Sequence, residues 1–262
     1  MERVPVYVTT SLKGEVSLKD EAKAWADEVD AHFVPRQGRR EEELHNLYEN
    51  LIIYTNMGPE IRTEGGSHHF HPSMAELRIR QIDSGKGDRF LDAVAATGPV
   101  KFLDCTCGLG SDALVASYGL PRGSRIDAVE ASPLLARVTA WGFSRYVHER
   151  RDVTEALRHI HLSHDTYESV LTSIEDKSYD IIYFDPMFSR PVAESCSFTP
   201  VRAVMEHGSL TYGILERALS VARRRVVIKG RDLHGIRRVY PQMKQYGGKY
   251  SRIAYAVLEC DR

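Results

Sequence analysis

The sequence predicts an α/β protein, with a mostly parallel sheet covered by helices on both faces and a small α/β unit ahead of it. Three observations predict this. From Val100 onward, short apolar runs alternate with helix-length amphipathic segments, the order that crossover-connected parallel strands require. Ile181-Ile182-Tyr183-Phe184 is a continuous apolar run, as suits a strand buried on both faces. Before residue 72 the same alternation occurs on a smaller scale, closed by the breaker-rich stretch Gly65-Gly66-Ser67-His68-His69-Phe70-His71-Pro72. The predicted boundaries are 1–71 for the N-terminal subdomain and 72–262 for the main domain.

In order along the chain, Val6-Tyr7-Val8 opens the first strand. Ser17 caps a helix to about Asp30, with Ala22, Trp25, Ala26 and Val29 at helical spacing. His32-Phe33-Val34 forms a second strand, Arg39 to Asn50 a charged helix, and Leu51-Ile52-Ile53-Tyr54 a third strand. Pro72 suits the first turn of a helix carrying Met74, Leu77, Ile79 and Ile82. Another helix runs from Phe90 to Ala96, before Gly98-Pro99. Strands follow at Val100–Cys105, Arg125–Glu130, His159–Ser163, Tyr179–Asp185 and Arg225–Lys229. Helices fill the gaps, as at Ser132–Val147 and Val201–Ala222, and Tyr250 to Leu258 is a further strand or a bent pair.

The chain has 262 residues, a formal net charge of -1 and 42% hydrophobic residues. Overall charge therefore announces no nucleic-acid partner. The four cysteines, Cys105, Cys107, Cys196 and Cys260, form no CxxC pair, so neither a zinc framework nor a disulfide framework is expected. No signal-like N-terminus and no apolar run of membrane length are present. A cytoplasmic, soluble protein is the expectation.

The first chemical motif is Phe102-Leu103-Asp104-Cys105-Thr106-Cys107-Gly108-Leu109-Gly110, a strand entering a glycine turn ahead of a helix. Gly108 and Gly110 let a ligand approach the backbone closely. About twenty residues on, Glu130 ends the next strand, where an acid binds both hydroxyls of a ribose. The ligand is thus a nucleoside-containing cofactor, with NAD and S-adenosylmethionine in competition. The third fingerprint glycine of a dinucleotide site is missing, its region held by Asp112 and Ala113. Asp104 would repel a pyrophosphate but attract a cation, and S-adenosylmethionine carries a sulfonium and an ammonium.

The second motif, Tyr183-Phe184-Asp185-Pro186-Met187-Phe188, closes the fourth strand of the alternating region. An exocyclic base amine is a poor nucleophile because its lone pair is delocalised into the ring. The Asp185 carboxylate and the Pro186 carbonyl offer acceptors that hold such an amine in a near-tetrahedral geometry. Phe188 supplies a ring for the base to stack on, worth about 1–3 kcal/mol in single-strand systems. The bland alternative is a strand ending in an Asp-Pro turn over a buried Phe.

These segments, with Val129-Glu130-Ala131-Ser132-Pro133 and Val226-Val227-Ile228-Lys229, resemble the bacterial RsmJ-type methyltransferases, which modify the N2 amine of a guanine in 16S ribosomal RNA. The likeness runs from about residue 72 to the end, and Asp185-Pro186-Met187-Phe188 is its most specific piece. It implies a class I methyltransferase (Rossmann-like) fold, S-adenosylmethionine as cofactor and small-subunit ribosomal RNA as partner. Carried onto this chain, it implies that Asp104, Gly108, Gly110, Asp112, Glu130, Ala131 and Asp165 bind the cofactor. Asp185, Pro186 and Phe188 become the catalytic group, with Met187, Arg190 and Lys229 toward the substrate. Two departures stand out. Cys105 and Cys107 replace small loop residues, and Ser189-Arg190-Pro191-Val192-Ala193-Glu194 is less basic than the family's usual run.

Arg217 to Arg262 is rich in Lys and Arg and poor in acids, which suits either a phosphate-binding face or a solvated surface. His68, His69 and His71 lack partners at metal-ligand spacing; a loop folding over the site is the preferred reading, and no metal is expected. Cys196 could serve as a nucleophile toward a pyrimidine ring, but packing is favoured. Two other activities stay open: methyl transfer to a protein amide or small amine, and NAD or nucleoside binding without methyl transfer.

Overall fold

The computed structural model describes residues 5–12, 16–63, 66–186, 210–248 and 252–260. Their contacts divide into two compact units. One comprises the described residues of 1–71 together with 132–146; the other comprises those of 72–131, 147–191 and 206–262.

In the first unit, β1 (Tyr7–Thr10), α1 (Val16–Glu28), β2 (His32–Phe33), α2 (Glu41–His45), β3 (Leu51–Thr55), β4 (Gly58–Thr63) and β5 (Gly66–His69) build a five-stranded sheet in the order β2-β1-β3-β4-β5. β1 runs parallel to β2 and β3, and β3-β4-β5 is an antiparallel meander. The apolar stripe of α1 buries Trp25, whose ring lies 5.5 Å from that of Tyr54. Two strands were not anticipated. β4 begins with Gly58-Pro59 and has a single aliphatic residue, Ile61, so its pattern is weak; pairing on both sides overrides propensity. β5 corrects the loop reading, because His68 and His69 pair with Ile61 and Glu60. The charged helix is also shorter than expected, since α2 ends at His45.

The second unit contains α3 (Ser73–Asp83), α4 (Arg89–Val94), β6 (Lys101–Asp104), α5 (Ser111–Gly119) and β7 (Arg125–Glu130). After α6 (Pro133–Arg145), which clusters with the first unit, it continues with α7 (Arg151–Arg158), β8 (Ile160–His164), α8 (Tyr167–Ser173) and β9 (Tyr179–Phe184). It ends with α9 (Tyr212–Val221), β10 (Ala222–Gly230), α10 (His234–Val239), β11 (Lys244–Gly247) and β12 (Ala254–Glu259). The sheet order is β11-β12-β10-β9-β6-β7-β8. β6 to β10 are mutually parallel. β12 is antiparallel to β10 and to β11, which leaves β11 running with β10. Of the further strand or bent pair expected from Tyr250 to Leu258, the structure shows the strand β12; β11 lies ahead of that stretch and was not anticipated. Pro72 sits one residue before α3 rather than in its first turn, and the start of the helix expected from Val201 lies outside the described residues.

Side chains alternate across the strands, so both sheet faces are filled. On one face Phe90, Phe102 and Tyr183 form an aromatic cluster with ring centroids 4.9–5.9 Å apart. On the other, Leu103, Ile182, Phe184, Val226 and Ile228 pack with Leu215 and Ala218 of α9. The strand order reverses between β6 and β9: the chain leaves β6 toward β7 and β8, then returns to β9 and β10. Such a switch point opens a crevice beyond the carboxyl ends of the strands. Asp104 ends β6 and Asp185 follows β9, so both motif carboxylates lie at this point. Among the described residues, no helix is long and apolar enough to cross a membrane.

Candidate active site

The glycine turn is built by left-handed backbone. Gly108 has φ 54° and Gly110 φ 79°, conformations in which a Cβ is strained. The turn is tied to both neighbouring strands. The Cys107 N–H donates to the Val129 carbonyl at 2.9 Å, and the Cys105 N–H donates to the Tyr183 carbonyl at 2.9 Å. The Gly108 N–H donates to Glu130 Oε2 at 2.7 Å, so the acid closing β7 already faces the turn.

Asp104 is fully buried. Its Oδ1 accepts from the Thr106 N–H at 3.0 Å, whereas Oδ2 is a buried oxygen with no hydrogen-bond partner. Burial pushes its carboxyl well above the usual carboxylate range, and the nearby Asp112 and Asp185 carboxylates push the same way. A cationic ligand group would meet the orphaned oxygen and offset that cost.

Asp185 lies directly across the switch point. Its backbone N–H donates to Thr106 Oγ1 at 2.7 Å, which couples the second motif to the first. Its Oδ2 accepts from Lys229 Nζ at 2.7 Å. The Asp185 carboxyl is raised by burial, with Lys229 pulling the other way. Pro186 is buried beside it. Met187, Phe188 and Arg190 lie outside the described residues, as does Cys196.

A row of charges behind Asp185 was not legible in the sequence. Lys229 Nζ also donates to Asp112 Oδ2 at 2.9 Å, and the Tyr183 hydroxyl donates to the same oxygen at 2.8 Å. Asp112 Oδ1 accepts from Arg78, whose other nitrogens donate to Asp88 at 2.8 and 2.9 Å. Asp112 is therefore held well below the usual carboxylate range by Lys229 and Arg78 despite its burial. Both its oxygens are engaged by protein groups. Lys229, expected at the substrate, has its ammonium on two carboxylates. Arg78 was missed because it reads as one polar position of an amphipathic helix; only the fold brings α3 to α5.

The remaining expected residues sit around the β7 and β8 ends. The Ala131 carbonyl is 3.2 Å from a ring nitrogen of His164. The Asp165 N–H donates to the Glu130 carbonyl at 3.2 Å, while its carboxylate accepts from the Thr166 N–H and the Ser169 hydroxyl. Cys105 and Cys107 are buried, and desolvation pushes both thiols up, away from the nucleophilic thiolate. Among the described residues, no group of His, Cys, Asp and Glu could hold a metal ion. Within the basic C-terminal stretch, Arg217 is engaged with Asp176, Leu171 and Ile174, and Arg225 with Ala93 and Glu259. Arg231 and Arg238 are exposed.

Comparison with known proteins agrees with this geometry. A family model of SAM-dependent methyltransferases matches residues 67–253. YpiP of Bacillus subtilis is 29% identical over 224 residues, 85% of this chain and 87% of its own. The chain is similar to ribosomal RNA small subunit methyltransferase J of Aliivibrio fischeri, with 30% identity over 61% of this chain. The match spans 65% of that relative's length, just under two thirds. A crystal structure of a SAM-dependent methyltransferase from Neisseria gonorrhoeae shares the fold, with a TM-score of 0.62 at 20% identity, covering 97% of this chain and 96% of that one.

Proposed function

The chain belongs to the family of SAM-dependent methyltransferases, and from that premise we propose that it methylates the exocyclic N2 amine of a guanine in small-subunit ribosomal RNA. Membership settles the cofactor that the glycine turn had left open, in favour of S-adenosylmethionine over NAD. The substrate reading is supported by the ribosomal methyltransferase relatives and by the Asp185-Pro186-Met187-Phe188 motif. The observation that carries it is Asp185 at the switch point, its backbone N–H donating to Thr106 Oγ1 of the turn that begins at Asp104.

The residues present fit the cofactor. Gly108 and Gly110 would cradle it, Glu130 and Ala131 would hold its ribose, Asp165 would serve the adenine, and Asp104 would meet its cationic end. When bound, S-adenosylmethionine supplies a methyl group activated by a sulfonium. The chain's own residues do the rest. Asp185 and the Pro186 carbonyl accept hydrogen bonds from the amine and turn its lone pair toward the methyl. The sequence motif assigns base stacking to Phe188 and substrate contact to Met187 and Arg190, which lie outside the described residues. Positioning of this kind replaces a strong base, because the amine becomes acidic once methylated. The surplus proton then leaves the nitrogen for the Asp185 carboxylate. Acting on ribosomal RNA, the enzyme works in the cytoplasm.

The test is transfer of labelled methyl from S-adenosylmethionine to small ribosomal particles, protein fractions and simple amines in parallel. Label recovered as N2-methylguanosine from the RNA is the expected result. Label confined to protein or to a small amine contradicts the RNA reading and leaves the methyltransferase standing.

A further inference from the structure

Lys229 presents its ammonium to two carboxylates at once, 2.7 Å from Asp185 and 2.9 Å from Asp112. It sits on β10 one residue beyond Ile228, which pairs with Phe184, so the strand register brings Lys229 beside Asp185. The far side of the ammonium is fixed rather than loose. Asp112 is anchored by the Tyr183 hydroxyl and by Arg78, and Arg78 is gripped by Asp88 and lies 5.3 Å from the centre of the Phe90 ring. Charges thus alternate in a row, Asp88, Arg78, Asp112, Lys229, Asp185, across three helices and two strands.

We propose that Lys229 is a positioning residue that acts through Asp185, holding its side chain as an oriented carboxylate while the row behind it holds Lys229. This rests on the reading of Asp185 as the acceptor of the target amine. The need for such a residue follows from the surroundings. Asp185 is faced by the Asp104 carboxylate from β6 and by the Asp112 carboxylate from α5. The other charged or titratable groups facing it are Arg78 from α3, Tyr183 from β9 and Lys229 itself, while Tyr255 from β12 faces Lys229. Burial and the Asp112 carboxylate favour protonation, and a protonated Asp185 would present a donor where an amine needs an acceptor. Lys229 is the cation in hydrogen-bond contact that opposes this. Its own pKa is raised by the two carboxylates, so it stays charged through the working pH range.

The test compares wild type, Lys229→Met, Lys229→Arg and Asp112→Asn by two readouts. The first is the carbon-13 NMR titration of the Asp185 carboxyl, assigned with Asp185→Asn. The second is the pH profile of kcat on ribosomal particles, with S-adenosylhomocysteine affinity as the check on folding. In Lys229→Met the Asp185 titration and the acid limb of kcat should both move up by about one to three pH units. Its rate should recover as pH is raised. Lys229→Arg should return both toward wild type. Asp112→Asn removes a repelling carboxylate and should move both down, which keeps the test decisive if Lys229→Met fails to fold. An Asp185 titration unmoved in these variants, or a loss of kcat equal at every pH, overturns the proposal. A wrong substrate reading looks different: no variant, wild type included, transfers to ribosomal particles, while the NMR arm still decides the role of Lys229.

Discussion

The Glu130 carboxylate, closing β7, accepts a hydrogen bond from the Gly108 N–H at 2.7 Å. One side chain therefore braces the glycine turn and, in the proposed site, also holds the cofactor ribose. A charged hydrogen bond contributes about 1.5–3 kcal/mol. Glu130→Ala should weaken S-adenosylhomocysteine binding by roughly tenfold to a hundredfold, by that energy, measured by calorimetry. Unchanged affinity would remove Glu130 from the cofactor site.

Asp104 trades stability for ligand charge. Its folded-state pKa is raised by burial. A raised carboxyl contributes stability at low pH that is lost as pH rises through its folded value. Asp104→Asn removes the buried charge and keeps an acceptor for the Thr106 N–H. The variant should therefore be more stable than wild type at neutral pH, by about 1–3 kcal/mol, with the gain shrinking in acid. It should also bind S-adenosylmethionine more weakly. Urea denaturation at neutral and acid pH checks the first, calorimetry the second.

His68 makes the first unit acid-sensitive. Burial, reinforced by His69, lowers its pKa from 6.5 to about 4, and its Nε2 is buried without a partner. The folded unit holds the ring neutral, whereas the unfolded chain accepts a proton. Stability is thus lost as pH falls from about 6.5 toward about 4. His68→Phe should flatten that part of the stability curve relative to wild type. Parallel curves for the two proteins would show that the ring charges freely in the fold.

Much of the second unit was legible because its signals are local. The runs at Phe102-Leu103 and Ile181-Phe184 have one reading as strands, and glycines at 108 and 110 mark a turn that the backbone confirms with positive φ. What escaped was set by tertiary contact. β4 and β5 contain too few apolar residues to announce themselves; β4 exists because β3 offers a partner edge, and β5 because β4 does. The contacts of α6 with the first unit are likewise invisible to a linear cut at residue 71. In the site, motif order singled out Asp104, Glu130 and Asp185. It did not show that one ammonium serves both Asp112 and Asp185, or that Arg78 arrives from a helix 34 residues earlier.

The measurement closest to the centre of the account is single-turnover methyl transfer by Asp185→Ala, alongside its affinity for S-adenosylhomocysteine. Removing one preorganised polar group at a reacting centre costs about a hundredfold to a thousandfold in rate. The expected result is a loss of at least that size with cofactor affinity retained. Near-normal transfer, or a loss that follows from failed cofactor binding, would contradict the assignment of Asp185 to the target amine.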